Sequence, residues 1–185
     1  MLWAVYNSLR DYGYTLEHGY VSFGGFTLEN FPNAWRRGGF ATSFGNSAVI
    51  TIAAVVFTLA ASSCMAFVLA RVKFRFNFAM LAVFVAANLL PPQSLLIPVY
   101  RMFRWVQLPA WLSDSGSLLN THAGVILINV AFQTGFCTFV LRNYMIGLPK
   151  AMYEAAEIDG ASLWRQFYGI TLPLIRPALA ALATL

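Results

Sequence analysis

Three stretches without a single Asp, Glu, Lys or Arg dominate this sequence: roughly Gly45 to Ala70, Phe76 to Tyr100 and Ala123 to Leu141. Each is long enough to cross a bilayer, which takes about 20 apolar residues. Lipid offers an isolated segment no partner for its backbone amides and carbonyls, so each stretch is expected to be a helix. The expected fold class is therefore all-α, a polytopic helical membrane protein. Composition agrees, with 59% hydrophobic and 10% charged residues, where a soluble domain carries about 25% charged.

That charge scarcity also excludes functions. The net charge of +5 comes from a few scattered basic residues at the edges of the apolar runs, where a membrane protein needs them, and it does not point to nucleic acid. Cys64 and Cys137 sit inside apolar runs with no metal-ligand spacing, and read as small buried hydrophobes. No metal or cofactor is expected. Proton relays, ion-coupled pumps and voltage sensors need charges within the membrane. A membrane hydrolase needs a nucleophile with a base, or a cluster of metal ligands. The spans supply neither, so the chain is not expected to be an enzyme. Any active transport must draw its energy from another subunit.

The link between the first two stretches, "ARVKFRFN", holds Arg71, Lys73 and Arg75, a short-loop cytoplasmic signal. Two further crossings put Arg142 and the residues after it on the same side. Residues 10–44 and 101–122 then face outward, although Arg36, Arg37, Arg101 and Arg104 there weaken the bias.

Within the spans, Ala54, Thr58, Ser62, Ala66 and Ala70 recur every fourth position, a ridge against which another helix packs closely. The second stretch is interrupted by "LLPPQSLLIP". Pro91 and Pro92 remove two donors and clash with the preceding turn, and Pro98 adds a third break. Two readings stand: a translocation path or gate near Asn88, Pro91, Pro92 and Gln93, or a packed kink. On the third stretch, Asn129 and Gln133 lie four residues apart near Phe132 and Phe136. Their amides suit a polar solute such as a sugar, and equally a bond to a neighbouring helix.

Acidic residues gather beyond the third stretch, in "YEAAEIDGASLWRQFYGITLP", residues 153 to 173. Pro149 suits a helix start and Gly160 the position after a helix end, which predicts a helix over Lys150 to Asp159. Its charge order is unfavourable: Lys150 stands at the positive end of the helix dipole, with Glu154, Glu157 and Asp159 toward the negative end. Each such mismatch costs only tenths of a kcal/mol. A solvated helix and a docking surface for a basic partner both fit.

These residues carry a resemblance. Glu154-Ala155-Ala156, three residues, Gly160, nine residues, then Ile170-Thr171-Leu172-Pro173 resembles the EAA loop of ATP-binding-cassette (ABC) importer permeases. The surrounding sequence, with "TLENFPNAW", "FGNSAVITI", "FVLARVKFRFN", "LIPVYRMF" and "LLNT" upstream in the same order, is similar to the carbohydrate-uptake, maltose-transporter type over about residues 27 to 185. The segment "VQLPAWLSDSGSLLNT" is longer than that family's usual outer loop. The resemblance implies the type I ABC importer permease fold. It also implies partners: a cytoplasmic ABC ATPase dimer, a second permease, an extracytoplasmic solute-binding protein and the bilayer of a bacterial or archaeal plasma membrane. Glu154 is then expected to contact the ATPase. Ala155 and Ala156 would allow close packing, Gly160 would permit the turn, and Asp159, Ile170, Leu172 and Pro173 would complete the coupling element.

Family members have six spans, so the chain is expected to be a piece of a longer protein. Residues 1–9 then read as the end of a truncated span and residues 10–44 as extracytoplasmic. Residues 45–185 form the transmembrane core, with a cytoplasmic loop over 142–171 and the start of a further span over 172–185. The function expected is a permease subunit for a sugar. The alternatives are a permease of the same build for a polyol, glycerol phosphate or other non-sugar solute, and a passive channel or membrane scaffold.

Overall fold

The computed structural model describes residues 1–72, 74–109 and 116–184, apart from the Pro92 side chain. Lys73 and the middle of the segment expected to be a long outer loop lie outside the described residues. In chain order the helices are α1 (Leu2–Ser8), α2 (Tyr12–His18), α3 (Asn30–Arg37), α4 (Phe40–Arg71), α5 (Asn77–Asn88) and α6 (Leu96–Trp105). They continue as α7 (His122–Ile146), α8 (Lys150–Ile158), α9 (Leu163–Gln166), α10 (Leu172–Leu174) and α11 (Arg176–Ala183). A 3-10 turn at Pro92–Leu95 precedes α6, and a π-helical turn at Phe167–Thr171 joins α9 to α10. Among the described residues the only extended pairings are two isolated bridges.

The backbone falls into two units, Met1–Val49 and Ile50–Leu185. In the first, Arg10 is only 2% exposed. Its guanidinium donates to the carbonyls of Tyr20 (2.9 Å), Gly19 (3.2 Å) and Gly24 (3.3 Å) and to Ser22 Oγ (2.7 Å). The rings of Tyr6 and Tyr14 each stand 5.6 Å from its central carbon. One arginine thus closes the loop over residues 19–24, satisfying carbonyls that would otherwise need water.

α4, most of which belongs to the second unit, and α7, which lies wholly in it, are each long and apolar enough to cross a bilayer. At 32 and 25 residues they span about 48 and 38 Å at about 1.5 Å per residue, more than a hydrocarbon core of about 30 Å. Both outrun the charge-free stretches in the sequence, because a helix continues through the interface until something caps it. The small-residue ridge is buried at Ala54, Thr58, Ser62 and Ala66 and half-buried at Ala70. Ala66 and Phe67 join Cys137, Leu141 and Met145 of α7 in the main core. Cys137 is buried and Cys64 half-buried, and both thiols are free.

The proline-rich break is sharper than a kink. The axes of Asn77–Asn88 and Gln93–Trp105 meet at 95°, since Pro91 and Pro92 deny the ladder two donors in succession. α5 crosses α7 at Gly135, where a Cβ would stand 2.9 Å from the Phe84 carbonyl oxygen and 2.5 Å from Asn88 Nδ2. α6 lies beside the first turn of α7: the Phe103 carbonyl accepts from Leu118 N–H (3.3 Å), and the Phe103 ring borders Gly124.

Residues 172–184 do not form one continuous helix. Pro173 and Pro177 each lack an amide hydrogen, and the chain breaks at Ile175 between α10 and α11.

Candidate functional site

The site is built from the ends of α4 and α7, the short helix α8 and the chain beyond it. Arg71, the last residue of α4, donates from Nη2 to the Met145 carbonyl of α7 at 3.0 Å. Arg142 of α7 donates from Nε to the Leu69 carbonyl of α4 at 3.3 Å. Each helix thus lends an arginine to the other's carboxyl end, where the last carbonyls lack partners and the dipole is negative. Asn77 Nδ2 also donates to the carbonyls of Leu69 and Val72, both at 3.0 Å, tying the start of α5 to the same place. The carboxyl ends of α4 and α7 therefore lie together.

α8 starts after Pro149, whose φ of −57° suits the first turn. It ends in a Schellman motif: Ala161 N–H donates to the Ala156 carbonyl (2.8 Å) and Gly160 N–H to the Glu157 carbonyl (3.0 Å). Gly160 takes the left-handed φ of +72° that this motif requires. Tyr153 is the one buried residue of α8, at 4% exposure. Glu154, Ala155, Glu157, Ile158, Asp159 and Gly160 are exposed, and Ala156 is half-buried. Ala151, Glu154, Ala155 and Ile158 share, by helical spacing, the side away from Tyr153. They form an exposed stripe in which the Ile158 side chain is 87% accessible.

Tyr153 is held on two sides. Its hydroxyl shares a 2.9 Å hydrogen bond with Thr171 Oγ1, and the Arg71 guanidinium carbon lies 3.4 Å from its ring centroid. The hydrogen bond brings the two halves of the EAA-like pattern together, since Thr171 stands within "ITLP", and the close cation–π contact ties both to the end of α4. Ile170 and Leu172 are half-buried against the core, while Pro173 is exposed. The Gln166 amide donates to the Ala161 carbonyl at 3.0 Å. The Phe167 ring packs on Phe67 of α4 with centroids 5.2 Å apart.

A match to the family model described as "Binding-protein-dependent transport system inner membrane component" covers residues 59–185, all of α7 and α8 included. The chain belongs to that family. It is similar, at 33% identity over 99% of its length, to the diacetylchitobiose uptake system permease protein NgcG of Streptomyces coelicolor. It is 32% identical over 84% of its length to the melibiose/raffinose/stachyose import permease protein MelC of Bacillus subtilis. To the alpha-glucoside transport system permease protein AglG of Rhizobium meliloti it is 34% identical over 85%. The chain spans 57, 53 and 40% of those three proteins, respectively. It is a multi-pass, all-α membrane protein of the type I ABC permease fold, and its family is a transport component rather than an enzyme.

In this family member the expected pathway residues fall in separate places, Asn129 and Gln133 at one cavity and Asn88 at another. Asn129 and Gln133 are exposed and, with Thr51, Thr58 and Phe136, line a cavity of ≈ 470 Å³ between α4, α7 and the end of α11. Asn88 lines a different cavity of ≈ 660 Å³, with Phe132 and mostly apolar neighbours from α4 to α7. Pro91 and Gln93 are exposed and border neither cavity. Pro92 opens the 3-10 turn. Asn88 and Asn129 each donate to a carbonyl four residues back in their own helix, Phe84 and Val125, both at 2.8 Å. The amide nitrogens thus serve their own helices instead of a neighbouring one.

Sequence reasoning takes Arg71 only as a charge marking the cytoplasmic side, gives Thr171 no role beyond its place in the motif, and passes over Tyr153 and Ile158. The signal for Tyr153 is its place as the sole aromatic residue of a short helix otherwise made of small, charged and aliphatic residues.

Proposed function

We propose that the chain is the membrane-spanning permease part of an ABC importer for a saccharide, set in a bacterial or archaeal plasma membrane. In this reading α8 lies on the cytoplasmic side and docks on a separate ATPase dimer. A second permease completes the path, and an extracytoplasmic binding protein delivers the solute. The observation that carries the reading is the construction of α8: Tyr153 is pinned to the ends of the membrane helices while Glu154, Ala155 and Ile158 are presented outward.

That stripe suits a protein partner. Glu157 and Asp159 crowd the negative end of the α8 dipole, so a basic groove would relieve their repulsion by roughly 0.3–1 kcal/mol each. Ala155 allows close approach, and Ile158 offers apolar area to bury. The saccharide class is supported by the names of the similar permeases, which refer to diacetylchitobiose, to melibiose, raffinose and stachyose, and to alpha-glucosides.

The work cycle begins when closure of the ATPase dimer on ATP displaces α8. Tyr153 passes the motion to α4, α7 and the segment after α8, and the helices lining the two cavities re-pack. ATP is hydrolysed by the partner alone. In the full-length protein, Glu154→Lys is expected to abolish ATPase co-purification and saccharide uptake together, and Gly160→Pro to do the same by removing the left-handed turn. Normal assembly with normal uptake in both variants rules the coupling role out.

A further inference from the structure

We infer that Tyr153 is the positioning residue through which α8 moves the membrane helices, its hydroxyl bond to Thr171 setting how much transport each ATP yields; this rests on the coupling role proposed for α8. Tyr153 is the one side chain of α8 that is buried, while Ala156 is half-buried. Past its carboxyl end the chain turns through the left-handed Gly160, a joint that transmits displacement poorly because glycine backbone rotates readily. Sideways motion of α8 must therefore pass mainly through the Tyr153 ring and hydroxyl.

Three elements receive it. The ring bears on the Arg71 guanidinium, 3.4 Å away at the end of α4. Arg71 is bonded to the last turn of α7 through the Met145 carbonyl. Its buried Nε has no hydrogen-bond partner among the described residues, so the Tyr153 ring carries more of the work of holding that cation in place. The hydroxyl bonds Thr171, the last residue of the π-helical turn Phe167–Thr171. Thr171 Oγ1 also donates to the Gln166 carbonyl at 3.4 Å, five residues back. Such a turn holds one residue more than an α-helical turn and marks functional sites often. A pull on Thr171 acts where the helix can change register, and so shifts the direction of α10. A phenylalanine at 153 would keep the ring on Arg71 and lose only the pull on Thr171.

The test uses the full-length permease assembled with its ATPase and reconstituted in vesicles. Saccharide uptake and ATP hydrolysis are measured on one sample, and ATPase co-purification alongside. Tyr153→Phe and Thr171→Val are each expected to lower saccharide taken up per ATP by about fivefold, the size of one net hydrogen bond, with the ATPase still co-purifying at the wild-type level. The double variant is expected to be no worse than Thr171→Val alone, because the Tyr153 hydroxyl then has no bond to Thr171 left to lose. Thr171→Ser, which keeps the hydroxyl, is expected to match wild type. An unchanged ratio in both single variants, or losses that multiply in the double variant, overturns the inference while docking stands. A lower yield of folded complex whose surviving fraction keeps the wild-type ratio also overturns it, since that is a purely structural role. A wild-type permease that binds no ATPase removes the coupling role itself, and this inference with it.

Discussion

Gly160 and Gly135 are both glycines for a reason, but the reasons differ and so do the expected costs of replacing them. At Gly160 the backbone is left-handed, φ +72°, and an added Cβ would meet nothing within 4 Å. Gly160→Ala should therefore lose only the conformational term, about 1–2 kcal/mol. At Gly135 the backbone is ordinary helix, but a Cβ would press on the Phe84 carbonyl of α5 at 2.9 Å, and backbone cannot swing aside. Gly135→Ala should cost more, in the range of about 1–3 kcal/mol expected for overpacking. Thermal unfolding of the two variants in detergent checks the order, and a larger loss at Gly160 would contradict it. The two are unequally legible in the sequence. Gly160 closes a helix-length run after Pro149, which is a local signal. Gly135 sits amid apolar residues, and only the path of α5 reveals why it is small.

At the level of elements, the small-residue ridge of α4 is readable because helical spacing is a local property, and Ser62 and Ala66 prove to be fully buried, each 0% exposed. Ala66→Leu is expected to force α4 away from Cys137 and Leu141, destabilising the fold by about 1–3 kcal/mol. Val68→Leu, at an exposed position of the same helix, serves as the control, and equal losses in the two variants would speak against the ridge. The sequence marks the break at Pro91 and Pro92 but not its angle, because proline removes hydrogen bonds without dictating where the freed chain goes. It likewise shows α8 and the "ITLP" limb as separate pieces of a pattern. Their union through Tyr153, Thr171 and Arg71 depends on residues far apart in the chain, which no local periodicity records. Asn129 and Asn88 are alike in the sequence, yet they border different cavities, since α5 packs on α7 at Gly135 and sets Asn88 there.

For the whole molecule, the reciprocal arginines place the carboxyl ends of α4 and α7 at one end of the helix set, so a probe confined to one side of the membrane should see only one group of positions. With Cys64 and Cys137 replaced by serine, Glu157→Cys is expected to react with an impermeant maleimide only in inverted vesicles, and Asn120→Cys only in intact cells. Labelling of both from the same side would overturn the orientation. The arginine exchange also bears on the order of manufacture. Arg142 comes 73 residues after Leu69, which a ribosome working at about 5–20 residues per second takes roughly 4 to 15 s to add. Throughout that interval the newly inserted α4 lacks the cation that will hold its end, and α7 must thread in beside it before either can settle. The pair matures together, and a pause in translation between them would lengthen the time that nascent α4 stays exposed to quality-control proteases.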